Sequence, residues 1–333
     1  MNHYSKTLLI SSREQKICFQ DNEEEAINIV IKALSKKKGH DFLLPEKTSI
    51  IFNEVKQNRI NCMPAALLDD KIYGVKWVSV FPENPKCGLK NVAGNIILSE
   101  TENGHTISVM DAGYLTELRT AAVGATAAYY LSRKDSSSIG FIGAGNQAKK
   151  HLDLIKKVRP NLRTCYVSSR SIETATRFIE EKKSLYPDMD FILCGNDYEK
   201  AVINADIIVT AISGQKDILK AHWIKKGVLY IHVAGWEDEY PVALKASKII
   251  CDDWEAVKHR TQTISRMYKE GILQDNDIYA NLNEIVTCKK PGREDDNEFI
   301  YFCSVGLAFI DISFAKYIYD QCLSRKLGFW YQF

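Results

Sequence analysis

"SIGFIGAGNQAKKHLDLI", residues 138–155, is the stretch on which the reading of this chain turns. An apolar run from Ser138 to Ile142 gives way to Gly143-Ala144-Gly145 and then to apolar residues at helical spacing. The turn spells G-x-G-x-x-A, closing on Ala148. Gly143 permits a tight turn from strand to helix, Gly145 lets the backbone approach a pyrophosphate, and Ala148 lets the helix pack closely on the strand. The N–H groups and dipole at the helix start favour phosphate. A purely structural glycine turn would read the same in isolation. Here the fingerprint follows an expected strand and opens an expected helix, which is the context dinucleotide binding requires. It makes Gly143, Ala144, Gly145, Asn146 and Gln147 cofactor-binding candidates.

From Ile139 onward strand and helix patterns alternate: "AKKHLDLIKKV", "TCYVSS", "IETATRFIEEKKS", "FILCG", "DIIVTAIS", "GVLYIHVAG", "ASKIICDD". That rhythm predicts an α/β fold with a Rossmann-type, doubly wound parallel sheet. The second strand of such a unit ends on Asp or Glu when the cofactor is NAD. This chain has Ser168-Ser169-Arg170-Ser171 instead. Arg170 can pair with a 2′-phosphate and the hydroxyls of Ser169 and Ser171 can donate to it, so NADP(H) is expected over NAD(H). Such charge-assisted contacts are worth about 1.5–3 kcal/mol each. Thr210, Ser213 and Ser304, at the ends of later strands, are further cofactor candidates.

Upstream, "IYGVKWVSVF", "NIILSE" and "TISVMD" are strand-like and broken by turn residues, with "TENGHT" as a hairpin signal. Residues 23–38 and 114–134 read as helices, the latter with an internal Gly124. "DISFAKYIYDQCLSR", 311–325, reads as an amphipathic tail helix.

A chain of 333 residues carrying 44 basic and 42 acidic residues has no field to gather nucleic acid or an anionic membrane. No apolar run approaches the roughly 18 residues of a membrane span. Nine scattered cysteines without a C-x-x-C pair suit reduced thiols in a cytoplasmic protein, and the histidines form no metal-binding pattern.

Three cations outside the nucleotide-binding segment are candidates for the substrate site beside the cofactor: Lys47, Lys76 and Arg119. Lys76 stands out, because it sits among apolar residues of a strand. Most lysines only extend an apolar stem to water.

"MPAALLDDKIYGVKWV", "ELRTAAVGATAA", "IGFIGAGNQA", "PGREDDNE" and "SVGLAFIDISFA" together resemble the markers of the ornithine cyclodeaminase/μ-crystallin family, over about residues 40–320. The resemblance implies a substrate-binding and dimerisation domain of α+β type built from both termini, 1–118 plus 310–333, around an NADP-binding domain at 119–309. It implies a homodimer acting on α-amino or α-imino acids with a nicotinamide cofactor. Lys47, Lys76 and Arg119 match cations that hold the substrate carboxylate, and Arg119 and Thr120 would touch cofactor phosphates. Lys76 and Glu237 are the implied catalytic residues. Glu237 falls where the family usually has an Asp that carries a proton, and neighbouring Asp238 is an alternative.

Asn61 and Asn91 replace a Glu and a Thr of ornithine cyclodeaminases, at positions that would face the substrate. Lys47, Trp77 and "PGREDDNE" look more like a siderophore-pathway branch, which oxidises N-(2-amino-2-carboxyethyl)-glutamate to 2,3-diaminopropionate and 2-oxoglutarate. That branch usually carries an Asp on the second strand, unlike Ser169-Arg170. The expectation is an NAD(P)-dependent oxidoreductase, an amino acid dehydrogenase or imine reductase. An ornithine-type cyclodeaminase and a non-catalytic NADP(H)-binding protein of the μ-crystallin kind are the alternatives.

Overall fold

A computed structural model describes residues 6–53, 56–212, 215–233 and 235–332. The chain divides into two units, Met1–Arg119 with Leu307–Phe333, and Thr120–Gly306.

The first unit opens with β1 (Lys6–Ile10), α1 (Ser12–Phe19) and α2 (Glu25–Ser35). Ser11 and Glu14 close a reciprocal capping box at the start of α1. There follow β2 (Phe42–Leu43), β3 (Thr48–Asn53), β4 (Asn58–Leu67), β5 (Ile72–Val80), β6 (Val92–Glu100) and β7 (Thr106–Asp111). The Asn-Gly signal lies in a five-residue loop between β6 and β7, where Gly104 takes φ +74°. Helix α3 (Gly113–Leu131) then runs past the boundary between the units.

In the second unit come β8 (Ser138–Ile142), α4 (Asn146–Val158), β9 (Thr164–Ser168), α5 (Ile172–Leu185), β10 (Asp190–Gly195) and α6 (Tyr198–Val202). Next are β11 (Ile207–Thr210), β12 (Leu229–His232), α7 (Tyr240–Leu244), β13 (Lys248–Cys251), α8 (Trp254–Val257) and α9 (Thr263–Lys269). The unit closes with β14 (Ala280–Asn281), α10 (Leu282–Val286) and β15 (Ile300–Cys303). The chain then returns to the first unit as α11 (Ala308–Arg325) and β16 (Phe329–Gln332).

The first unit's sheet runs β16-β1-β7-β6-β5-β4-β2, with β3 also on β4. All its pairings are antiparallel except β1 with β7. Side chains alternate across it: Ile72, Gly74, Lys76 and Val78 of β5 point to the buried face, Tyr73 and Trp77 to the other. Helix α11 packs on the buried face, with Phe309 stacked on Phe42 at 4.1 Å. A Cβ at Gly74 would lie 2.8 Å from Ile312 Cδ1, so that glycine sets how closely α11 approaches β5. Helix α11 starts one turn before the sequence pattern suggests. Its N-cap, Leu307, offers no side-chain hydrogen bond and so leaves no start signal.

All eight strands of the second unit's sheet are parallel, in the order β10-β9-β8-β11-β12-β15-β13-β14. Strands β8, β11, β12, β13 and β15 are buried along their whole length, as a sheet covered on both faces requires. The strand order reverses at β8, the switch point beside which such sheets take their ligands. Gly124 has a packing reason: a Cβ there would meet the His151 ring of α4 at 2.6 Å.

Candidate active site

Unit one holds a buried charge cluster. Lys76 is 1% exposed on β5, Arg119 is 7% exposed on α3, and Asp311 on α11 is fully buried. Lys76 Nζ donates to Asp311 Oδ1 at 2.6 Å, and Arg119 Nε reaches the same oxygen at 2.8 Å. The Arg119 contact is an ion pair without hydrogen-bond alignment, so its Nε–H is unsatisfied. Asp311 Oδ2 has no hydrogen-bond partner among the described residues either. Burial, then the Arg119 charge, lowers the Lys76 ammonium to about 8, against the opposing pull of Asp311. Two cations facing one carboxylate leave a surplus positive charge in a low-dielectric setting, where a second carboxylate would be strongly held.

Sequence reasoning missed Asp311. Its signal was a single acid inside the apolar run "GLAFIDISFA", because a charge in a core-facing helix turn needs a partner.

The other first-unit candidates lie on or beside the strands of the same sheet. Asn61 is buried on β4 and accepts from Ser49 Oγ at 2.8 Å through its Oδ1. Lys47 and Asn91 are half-buried; Asn91 also accepts from Phe81 N at 2.7 Å through its carbonyl.

Unit two carries the glycine turn. Gly143 sits at φ +101°, where a Cβ would come 2.6 Å from Ala211 O. Gly145 is the N-cap of α4, exposed, and a Cβ there would project into open space. Ala144 and Ala148 are buried, whereas Asn146 is exposed, and Gln147 Oε1 is buried without a hydrogen-bond partner among the described residues. Together these features fit a dinucleotide: an uncapped helix start, an open cradle and an orphaned acceptor. Thr120, first residue of this unit, is half-buried on α3.

At the end of β9, Ser169 N donates to Gly195 O at 2.7 Å, and Arg170 is exposed. Ser171 is engaged locally as the cap of α5, accepting from Thr174 N at 3.2 Å and donating to Glu173 at 2.6 Å. An acid therefore does stand near this strand end, one turn later than the fingerprint places it.

Ser304 donates to Asp252 Oδ2 at 2.9 Å, and Val305 N and Gly306 N donate to the same oxygen at 2.9 and 2.8 Å. Burial still raises Asp252 to about 6. Ser213 lies outside the described residues.

Glu237 and Asp238 are both fully buried. Glu237 accepts from the Thr210 hydroxyl and, at 2.9 Å, from Ile212 N. Thr210 is itself buried, its hydroxyl committed to Glu237 and Tyr230. Asp238 accepts from Thr263 Oγ1 at 2.7 Å.

"PGREDDNE" is a charged turn pinned to the rest of its unit. Arg293 donates to Leu131 O and Glu298 O at 2.8 and 2.6 Å, while Lys248 pairs with Glu294 and Glu298 at 2.7 and 2.9 Å.

A parallel sheet with a glycine turn in one unit and a buried cationic cluster in the other suits a nicotinamide enzyme for small carboxylic acids. Residues 11–326 match the ornithine cyclodeaminase/mu-crystallin family, and the chain belongs to it. It is 29% identical over 307 residues to the N-((2S)-2-amino-2-carboxyethyl)-L-glutamate dehydrogenase of Staphylococcus aureus, covering 91% of each chain. Among solved structures it is similar to Thermococcus litoralis Δ1-pyrroline-2-carboxylate reductase in complex with NADH and L-proline. There the TM-score is 0.90 and the identity 30%, over 97% of this chain and 99% of that one. It is also similar to an archaeal alanine dehydrogenase dimer with bound NAD, with TM-score 0.87 and 31% identity over 98% and 99% of the two chains. No described helix is long and apolar enough to cross a membrane.

Proposed function

We propose that this chain interconverts an amino acid and its imino acid with NADP(H), holding the substrate carboxylate on Lys76 and Arg119 with help from Lys47. The chain is an NAD(P)-dependent oxidoreductase of the CH–NH or CH–NH2 group of amino or imino acids. The observation that carries the carboxylate clamp is the sharing of one Asp311 oxygen by two buried cations. A substrate carboxylate would take up the surplus charge and satisfy the Arg119 donor, fixing Cα in place.

When bound, the nicotinamide supplies or accepts the hydride at Cα. Lys76, brought to about 8, can hold or release a proton at the substrate nitrogen near neutral pH. Residues 143–147 hold the pyrophosphate on α4. Arg170, exposed at the end of β9, supports NADP(H) over NAD(H). The finer substrate reading is oxidation of N-(2-amino-2-carboxyethyl)-glutamate to 2,3-diaminopropionate and 2-oxoglutarate, supported by Lys47, Trp77 and the 291–298 turn. Nine free cysteines suit the reducing cytoplasm.

The working form is a homodimer. On the outward face of the first unit's sheet, Phe329, Leu9, Val109, Ile97, Val75 and Pro64 fall in one cross-strand row. Phe329 is 65% exposed and Trp77, on the same face, 44%. An apolar band of that breadth needs a cover, and a second copy supplies one.

The test is reduced-nicotinamide absorbance with NADP+ or NAD+ and a panel of L-alanine, L-proline, L-ornithine and the glutamate–diaminopropionate conjugate. A rise with one amino acid and NADP+ is the expected result. Ammonia from ornithine without net reduction would make the chain a cyclodeaminase. Cofactor binding without turnover of any such acid would make it a binding protein.

A further inference from the structure

The turns after β11 and β12 rest on a polar network sealed from solvent. Glu237 joins them, taking its hydrogen bonds from Thr210 and from Ile212 N. Tyr230 Oη lies 2.9 Å from Thr210 Oγ1 and 3.4 Å from Asp238 Oδ1. Because the Thr210 proton goes to Glu237, the Tyr230 hydroxyl is the donor to Thr210. Tyr301 Oη, on β15, lies 3.3 Å from Asp238 Oδ1 and 3.2 Å from His232 Nδ1. His232 Nε2 stands 3.6 Å from Glu237 Oε2 and 3.9 Å from Asp238 Oδ1, with no hydrogen bond of its own among the described residues.

The charge balance is the unusual part. Among the described residues no Lys or Arg touches Asp238, and its Oδ2 has no donor. The groups facing it are Thr263 from α9, Tyr230 and His232 from β12, and Tyr301 from β15, with the like charges of Glu237 and Asp217 nearby. Burial keeps His232 neutral, lowered to about 3. Two adjacent carboxylates in such surroundings cannot both ionise at ordinary cost. Glu237, fed by a backbone N–H and a hydroxyl, is the one suited to the charge.

We propose that Glu237 and Asp238 form a single-proton positioning pair: Glu237 carries the charge, Asp238 keeps the proton, and together they lock the turn after β11 to the turn after β12. This rests on the reading above that the dinucleotide binds beside the switch point of this sheet, where β8 and β11 are neighbours. Burial raises Asp238 to about 7, so the lock weakens as pH rises through neutrality. The sign follows from linkage. An acid whose folded pKa exceeds its unfolded value contributes stability that is full below the unfolded pKa and is lost as pH rises through the folded one.

The experiment compares wild type with Asp238→Asn, which mimics the protonated acid, between pH 5 and 8.5. It reads the thermal midpoint of the unliganded protein and the Kd for NADPH by fluorescence. Wild type should lose thermal stability from pH 5 to 8 and bind NADPH about tenfold more weakly at pH 8 than at pH 6. Asp238→Asn should take away the part of both slopes that lies above pH 6, leaving the part that Asp252 contributes below it. Two outcomes overturn the proposal: profiles that are flat in wild type, or slopes above pH 6 that are as steep in the Asn variant as in wild type. If Asp238→Asn fails to fold, Tyr230→Phe replaces it and should weaken NADPH binding at pH 6 without lowering kcat. A midpoint slope above pH 6 abolished by Asp238→Asn in a protein that never binds NADPH would support the shared proton and overturn the cofactor reading instead.

Discussion

Each unit buries a knot of charge, and the two are built on opposite plans. In the first, Lys76 and Arg119 share a single Asp311 oxygen, leaving positive charge to spare. In the second, Glu237 and Asp238 lie among hydroxyls and a neutral imidazole. The comparison teaches that the sign of the imbalance matters more than burial. A buried surplus of cations with an unsatisfied donor is ready for an anion from outside. A surplus of acid relieves itself from within, by keeping a proton.

The largest expected effect breaks the first knot. Lys76→Met removes a charge-assisted contact and the proton carrier together, and kcat/KM should fall about a thousandfold or more while NADPH binding stays intact. Steady-state kinetics beside a fluorescence titration decides it; unchanged kcat/KM would remove Lys76 from the clamp. Asp311→Asn leaves two buried cations without their counter-charge. It should cost about 3–5 kcal/mol in urea unfolding, the range for breaking a buried pair. A loss under about 1 kcal/mol, the size of an exposed pair, would mean that the cluster is not internally balanced by Asp311.

Arg119→Lys keeps the charge and loses the planar fork, so KM for the amino acid should rise about tenfold with a smaller change in kcat. Arg170→Ala should weaken NADPH by about tenfold and leave NADH alone. Equal loss of both would show that Arg170 does not read the 2′-phosphate. The pH dependence sharpens the contrast between the knots. Lys76 is lowered to about 8, so the clamp is fully cationic below that pH, and KM should climb as pH rises through it. The folded Lys76 binds fewer protons than the unfolded one between about 8 and its ordinary value near 10.4, so its contribution to stability grows with pH there. Asp238 makes the opposite contribution, on the acid side of neutrality.

The parallel sheet and its glycine turn were legible in the sequence because strand runs, turn residues and helix starts recur there with regular spacing. Lys76 stood out because a charge amid the apolar residues of a strand is rare, whereas Arg119 drew its role from the family resemblance of "ELRTAAVGATAA". Asp311 was not singled out, since its helix read as an amphipathic tail whose first turn went unseen. Glu237 and Asp238 were visible as acids, but sequence alone does not say which way a loop carboxylate turns. The structure turns both inward. Ser171, read as a phosphate donor, is also the cap of α5, a role the sequence reading did not give it.

One titration decides whether Lys76 holds the substrate carboxylate. Wild type and Lys76→Met are titrated with the best amino acid of the panel in the presence of saturating NADP+, following reduced-nicotinamide absorbance. Absorbance should rise steadily for wild type and not for Lys76→Met, with both proteins binding NADPH equally. Turnover by Lys76→Met at the wild-type rate would contradict that role.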